Sequence, residues 1–206
     1  MTVDPLFFTN VSDPARFREA IRQFDHLNRA DPNLEMTEGT AQPRELVQAE
    51  RLSGWIMRLE PMPTEEIRLA SRCQHLCRWM IPRDRYPMSR AGYHQWRNDL
   101  KRFHAEKSGA VLRAVGYPDE LMARVQDLNL KKNFPGDPDS RLLEDGLCLV
   151  FLEFQLTELA SKTDEEKVIN ALRKSWAKMT ERAHACALAL NYGPRERQLI
   201  ERALQP

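Results

Sequence analysis

Hydrophobic residues recur at intervals of three and four positions along almost the whole chain, which is the period of an α-helix. β-branched residues are sparse and do not alternate with polar residues over the length of a strand. The pattern therefore predicts an all-α protein. No internal repeat and no long linker interrupts it, so we expect one domain over residues 1–206, an orthogonal bundle of about seven to eight helices.

Prolines, glycines and capping residues set the predicted helix boundaries. The predicted helices lie at 12–30, 43–61, 64–82, 89–115, 118–130, from about 140 through the LCLVFLEF run, 163–190 and 194–204. A polar loop is expected at 31–42 and a second loop at 82–87. LCLVFLEF has few polar positions, so this helix should be the most buried. The inward face of the 89–115 helix is predicted to hold Tyr93, Trp96, Leu100, Phe103, His104, Val111 and Leu112.

Composition limits the class of protein. Apolar residues make up 42% of the chain and charged residues 30%, as in soluble globular proteins. No apolar run approaches the roughly 18 residues of a membrane span, so we expect no membrane association. The N-terminal segment has acidic residues at positions where a secretory signal would have basic ones, so we expect a cytoplasmic location. The four cysteines form no CxxC pair, which favours reduced, mostly buried thiols over a zinc site.

Positive charge is concentrated in the stretch 68–107. It holds ten Lys or Arg against three acids, whereas the whole chain has a net charge of +1. Guanidinium groups bind phosphate and stack on aromatic rings, so arginines beside tryptophan and tyrosine favour a phosphorylated ligand, with RNA as a further possible partner. The predicted ligand-binding residues are Arg72, Arg78, Trp79, Arg83, Arg90, Tyr93, Trp96, Arg97, Lys131 and Lys132. The alternative is that these arginines pair internally with acids.

Two acids and two histidines supply the candidate chemistry. Glu144 and Asp145 enter the most hydrophobic helix, where a charged carboxylate needs a metal ion, a histidine or an arginine beside it. The alternative is that they favour the helix dipole. His75 and His104 lie on consecutive predicted helices and would converge with Asp145 if those helices pack antiparallel, which would suit metal binding or acid–base chemistry.

The chain resembles an uncharacterised family, domain of unknown function forty-two zero two. The segments that carry the resemblance are QHLCRWMIPRDRYPMSRAGYHQWRNDLKRFHAEK, VQDLNLKKN and LEDGLCLVFLEFQL. It extends from Phe17 through the DPN at Asp31 to the KSWAKM at Lys174, which is nearly the whole chain.

A more distant resemblance is to the HD superfamily of metal-dependent phosphohydrolases, which has histidine on one helix, histidine late on the next and an acid on a later one. It implies an HD-like all-α fold, with His75, His104 and Asp145 as ligands of a divalent metal (Mn, Mg, Zn or Fe). Ala105 stands where that superfamily has its second aspartate.

These observations lead to three functional hypotheses. The first is a divergent HD-like phosphohydrolase that acts on a phosphate ester of a nucleotide or similar small anion, with a metal-bound water as nucleophile. Its catalytic residues would be Glu144, as general base, and Asp145, which also binds the metal. The second is a non-catalytic nucleotide- or RNA-binding module that uses the Arg/Trp-lined pocket. The third is a structural or partner-binding helical protein.

Overall fold

The computed structural model describes residues 5–205, in which helices account for most of the chain and one short hairpin interrupts them. All-α is therefore the right class. The chain divides into two compact units, Met1–Asn133 and Phe134–Pro206. The expectation of a single HD-like bundle stays a prediction.

The first unit contains five helices and the hairpin, within its described residues. Their bounds are α1 Pro14–Asn28, β1 Leu34–Thr37, β2 Thr40–Pro43, α2 Arg44–Leu59, α3 Glu65–Cys73, α4 Arg90–Val115 and α5 Asp119–Leu130. Helix α4 packs along α5, while α3 contacts both α2 and α5. The core between them is apolar, with Phe17, Phe24, Ile56, Leu69 and Leu112 all buried.

The hairpin corrects the prediction of a polar loop at 31–42. Strands β1 and β2 pair antiparallel through a tight turn in which Glu38 and Gly39 both have positive φ, 52° and 78°. Two consecutive left-handed residues give a turn whose twist matches paired strands. The strands are mostly exposed, so the hydrophobic pattern carries little trace of them.

The second unit holds the remaining helices of the described chain. They are α6 Pro138–Val150, α7 Leu156–Lys162, α8 Glu165–Trp176, α9 Glu181–Leu188 and α10 Pro194–Leu204, with a π-helical turn, Phe151–Gln155, between α6 and α7. The single helix predicted at 163–190 is wrong, because Thr180 caps a new helix there. The LCLVFLEF run is buried at Leu149 and Val150, whereas Glu153 is exposed.

A membrane crossing would need a long apolar helix, and residues 5–205 contain none. The four cysteines are free thiols, and three of them, Cys73, Cys77 and Cys148, are buried.

Candidate functional site

The turn after α3 places two of the predicted site residues. Helix α3 was expected to continue to Pro82 but ends at Cys73. Cys77 adopts a left-handed conformation with φ of 56°, and its backbone N–H donates to the side-chain oxygen of Asn28 at 3.1 Å. The chain then forms a 3₁₀ turn, Arg78–Met80. His75 and Arg78 therefore lie on a turn, held by a residue of α1.

The structure brings His75 and His104 together. Their ring centroids are 5.9 Å apart. His104 is 2% exposed, and its Nδ1 donates to the carbonyl of Leu76 at 2.9 Å. Because Nδ1 carries that hydrogen, Nε2 is an acceptor, and it is buried with no partner among residues 5–205. His75 is partly exposed, and its ring makes no hydrogen bond to any residue in 5–205, whereas its backbone carbonyl accepts from the N–H of Arg78 at 3.0 Å.

Burial and neighbouring cations keep both imidazoles neutral. The pKa of His75 lies well below 6.5, first because of desolvation and then because of Arg78, His104, Arg97 and Lys131. Desolvation also lowers the pKa of His104 to about 4, against the opposing effect of its hydrogen bond to a backbone carbonyl. At neutral pH the pair therefore contributes no positive charge to the surrounding cluster.

Arg78 is the best-defined cation of the site. Its guanidinium lies over the ring of Trp96, 4.9 Å from the centroid, and Trp96 is fixed by a 2.9 Å hydrogen bond from its indole N–H to the carbonyl of Ile81. The Nε of Arg78 is 3.9 Å from a carboxylate oxygen of Glu45. This contact is a long ion pair, so it leaves much of the guanidinium's bonding capacity unused.

Arg97 follows Trp96 on α4 and is half-buried. Its guanidinium forms no ion pair or hydrogen bond with any residue in 5–205, although it acts electrostatically on both histidines and on Arg78. Arg78 and Arg97 therefore lie in one region of the first unit, where the ion pair between Arg78 and Glu45 is long.

Sequence reasoning missed Glu45. It lies in the first turn of α2, where an acid is ordinarily explained by the helix dipole, so the pattern gave no signal. The side chain is nevertheless buried, and burial raises its pKa to about 7, with Asp31 and Glu35 adding to the shift and Arg78 and Arg44 opposing it.

Arg72 and Arg83, which were predicted to bind ligand, are used to hold the fold. The Arg72 side chain is 1% exposed, and its guanidinium donates to both carboxylate oxygens of Asp25 at 2.6 and 2.9 Å and to Glu50 at 3.3 Å. Arg83 donates to the carbonyls of Tyr86 and Pro87. For Arg72 the internal-pairing alternative describes the structure, whereas Arg83 is held by backbone carbonyls and not by acids. We leave both out of the ligand site.

The other predicted ligand residues lie at or near the surface. Tyr93, expected on the inward face of α4, is instead 45% exposed and 5.8 Å from Trp96 between ring centroids. Arg90 is exposed at the start of the same helix, and Trp79 is half-buried in the turn that carries Arg78. Lys132 forms an ion pair with Asp127 at 2.6 Å.

Glu144 and Asp145 belong to the second unit and have partners there. The ammonium group of Lys178 donates to Glu144 at 3.0 Å. Asp145 accepts from the backbone N–H of Thr180 at 2.9 Å and from its hydroxyl at 2.6 Å. A lysine therefore meets Glu144, which was expected to face a metal ion, a histidine or an arginine, and Asp145 supports the start of α9.

The predicted metal set gains no support from this geometry. Within residues 5–205 no group of three or more His, Cys, Asp and Glu side chains is arranged to hold a metal ion. Both Asp145 oxygens already accept hydrogen bonds from Thr180, which suits a structural cap. His75, His104 and Asp145 as ligands of a divalent metal stay a prediction.

Comparison with known proteins gives one match. The sequence profile of a family described as Domain of unknown function (DUF4202) matches residues 18–200. No curated protein and no solved structure matches the chain.

Proposed function

Since the chain belongs to the DUF4202 family, whose description states no activity, we propose from the site alone that the first unit binds a small phosphorylated molecule. The observation that carries the proposal is that Arg78 and Arg97 lie around two neutral histidines, and that Arg78 has Glu45 as its partner only in a long ion pair of 3.9 Å. An anion bound there would contact guanidinium groups whose charge no close ion pair neutralises. The site is partly desolvated, so each hydrogen bond between charged groups is strong.

The exposed ring of Tyr93 favours a nucleotide as the ligand. Trp96 already carries the guanidinium of Arg78, and Arg83 lies 5.9 Å from the same ring centroid. Tyr93 is the neighbouring aromatic with open surface, and an aromatic base can stack on it. In this arrangement Arg78 and Arg97 hold the phosphate and Tyr93 contacts the base.

The test is isothermal titration with inorganic phosphate and a nucleoside monophosphate. Arg97→Gln should weaken phosphate binding at least about tenfold, because it removes one charge-assisted contact. Arg102→Gln is the matched control. Arg102 lies on the same helix but is exposed and pairs with Asp99 at 3.5 Å. The phosphate affinity of the Arg102→Gln variant should therefore stay within about twofold of that of the parent protein.

The remaining outcomes separate the alternatives. If neither compound binds the parent protein, the anion site is wrong and a partner-binding role is favoured. If a short 5′-phosphorylated RNA binds much more tightly than the mononucleotide, the ligand is an RNA end. Equal losses in the Arg97 and Arg102 variants would mean that only net charge matters.

Metal-dependent hydrolysis of the bound ester stays a prediction. It rests on the HD resemblance and on the three residues His75, His104 and Asp145. The proposal of phosphate binding requires no metal ion and uses only residues of the first unit.

A further inference from the structure

Glu45 is the acid within the cation cluster. One of its oxygens is 3.9 Å from Arg78, and the other is buried with no hydrogen-bond partner among residues 5–205. A buried carboxylate with an unpaired oxygen is costly when ionised. Taking up a proton removes that cost, and it also ends the attraction to Arg78.

The charged groups around Glu45 have opposing effects on its ionisation. Arg78, from the turn after α3, and Arg44, on α2 itself, favour the ionised form. Asp31, after α1, and Glu35, on β1, oppose it. Burial has the largest effect, and the resulting pKa of about 7 places the change of charge near neutral pH.

The two neighbouring acids are already engaged. One oxygen of Asp31 accepts the backbone N–H of Glu45 at 3.0 Å, and the other accepts two hydrogen bonds from Asn33. Glu35 pairs with Arg51. Neither acid is therefore well placed to replace Glu45 beside Arg78.

We infer that Glu45 is a positioning residue that tunes the anion affinity of Arg78, pairing with the guanidinium when ionised and leaving its charge to the ligand when protonated. The inference rests on the proposed anion site. Anion affinity then falls as the pH rises through the titration of Glu45, because the ionised carboxylate competes with the ligand for the same cation. His75 and His104 add little to this change, because both are already neutral in that range.

Sulfate is the suitable probe, because its charge stays constant over the range of interest, whereas a phosphate monoester titrates. We expect sulfate affinity of the parent protein to fall about three- to tenfold between about pH 6 and about pH 8, measured by titration calorimetry at constant ionic strength. Glu45→Gln keeps the shape of the side chain and removes its charge. This variant should bind sulfate at both pH values about as tightly as the parent does at the lower one.

Glu106→Gln is the matched control. It makes the same substitution at an exposed position on α4, and it should keep the pH profile of the parent. Thermal unfolding of all three proteins verifies that each is folded at both pH values.

The outcomes distinguish this inference from the function on which it rests. The inference is wrong and the anion site stands if sulfate binds and its affinity for the Glu45→Gln variant changes with pH as it does for the parent. The same conclusion holds if the variant binds sulfate more weakly than the parent at every pH. If sulfate binds neither protein at any pH, the anion site itself is wrong, and the role of Glu45 is overturned with it.

Discussion

His104 is a neutral histidine in a place where protonation is disfavoured. Its buried Nε2 has no acceptor beside it among the described residues, and Arg78 and Arg97 repel a positive charge. The folded-state pKa of about 4 is lower than that of a histidine in an unfolded chain, about 6.5. The unfolded chain therefore takes up a proton first as the pH falls, so His104 makes the fold less stable toward acid.

His104→Asn keeps a side-chain donor for the Leu76 carbonyl and removes the titrating ring. Between about pH 7 and about pH 5 the free energy of unfolding should fall by about 2 kcal/mol less in this variant than in the parent protein. Urea denaturation followed by circular dichroism measures the difference. His94→Asn, at an exposed position on the same helix, should show the same change in the free energy of unfolding with pH as the parent. The prediction would be contradicted if His104→Asn showed that same change.

At the scale of elements, the residues at the helix ends were sufficient to predict the boundaries of α4 but not the end of α3. Ser89 accepts from the N–H of Gly92, and Gly116 ends the helix with φ of 87°, so both boundaries follow from residues at the boundaries themselves. Helix α3 ends at Cys73, and the turn that replaces its predicted continuation is held at Cys77 by the side chain of Asn28, which is far away in sequence. Nothing near Cys77 in the sequence reports that contact.

The candidate site was predictable to a similar degree. The cluster of cations was visible as a charge excess at 68–107, and the pairing of His75 with His104 followed from two neighbouring segments. The exclusion of Arg72 and the inclusion of Glu45 depend on burial beside residues distant in sequence. Periodicity reports which face of a helix is apolar, but not which charged group will meet which partner.

At the scale of elements, our prediction concerns the start of α9. Thr180 is its N-cap: the hydroxyl accepts from the N–H of Ala183 and donates to Asp145. Thr180→Val should destabilise the protein by about 1–2 kcal/mol, because it removes the cap and leaves a buried carboxylate oxygen without its donor. Chemical denaturation measures this loss. Thr157→Val, at an exposed position in α7, is the control, and equal stabilities of the two variants would contradict the capping role of Thr180.

At the scale of the whole molecule, the chain consists of two compact units, and the residues proposed to hold the anion all lie in the first. That unit has its own buried apolar residues on α1, α2, α3, α4 and α5. A unit with a separate core is the usual basis for independent folding. The second unit has a core of its own that includes Leu149, Leu156 and Leu172.

Residues 1–133 expressed alone should therefore be helical and unfold cooperatively, and should bind phosphate within about threefold of the full chain. Circular dichroism and titration calorimetry on the fragment test this prediction, with the full chain as control. A fragment that is unfolded, or folded but unable to bind phosphate, would contradict it.

The stacking of Arg78 on Trp96 has a practical consequence. Indole fluorescence depends on the charges close to the ring, and here a guanidinium lies 4.9 Å from the ring centroid. A ligand that draws Arg78 toward itself changes the field at a natural fluorophore. The proposed site thus contains its own optical reporter, which can be read without attaching a dye and assigned by comparison with a Trp96→Phe protein.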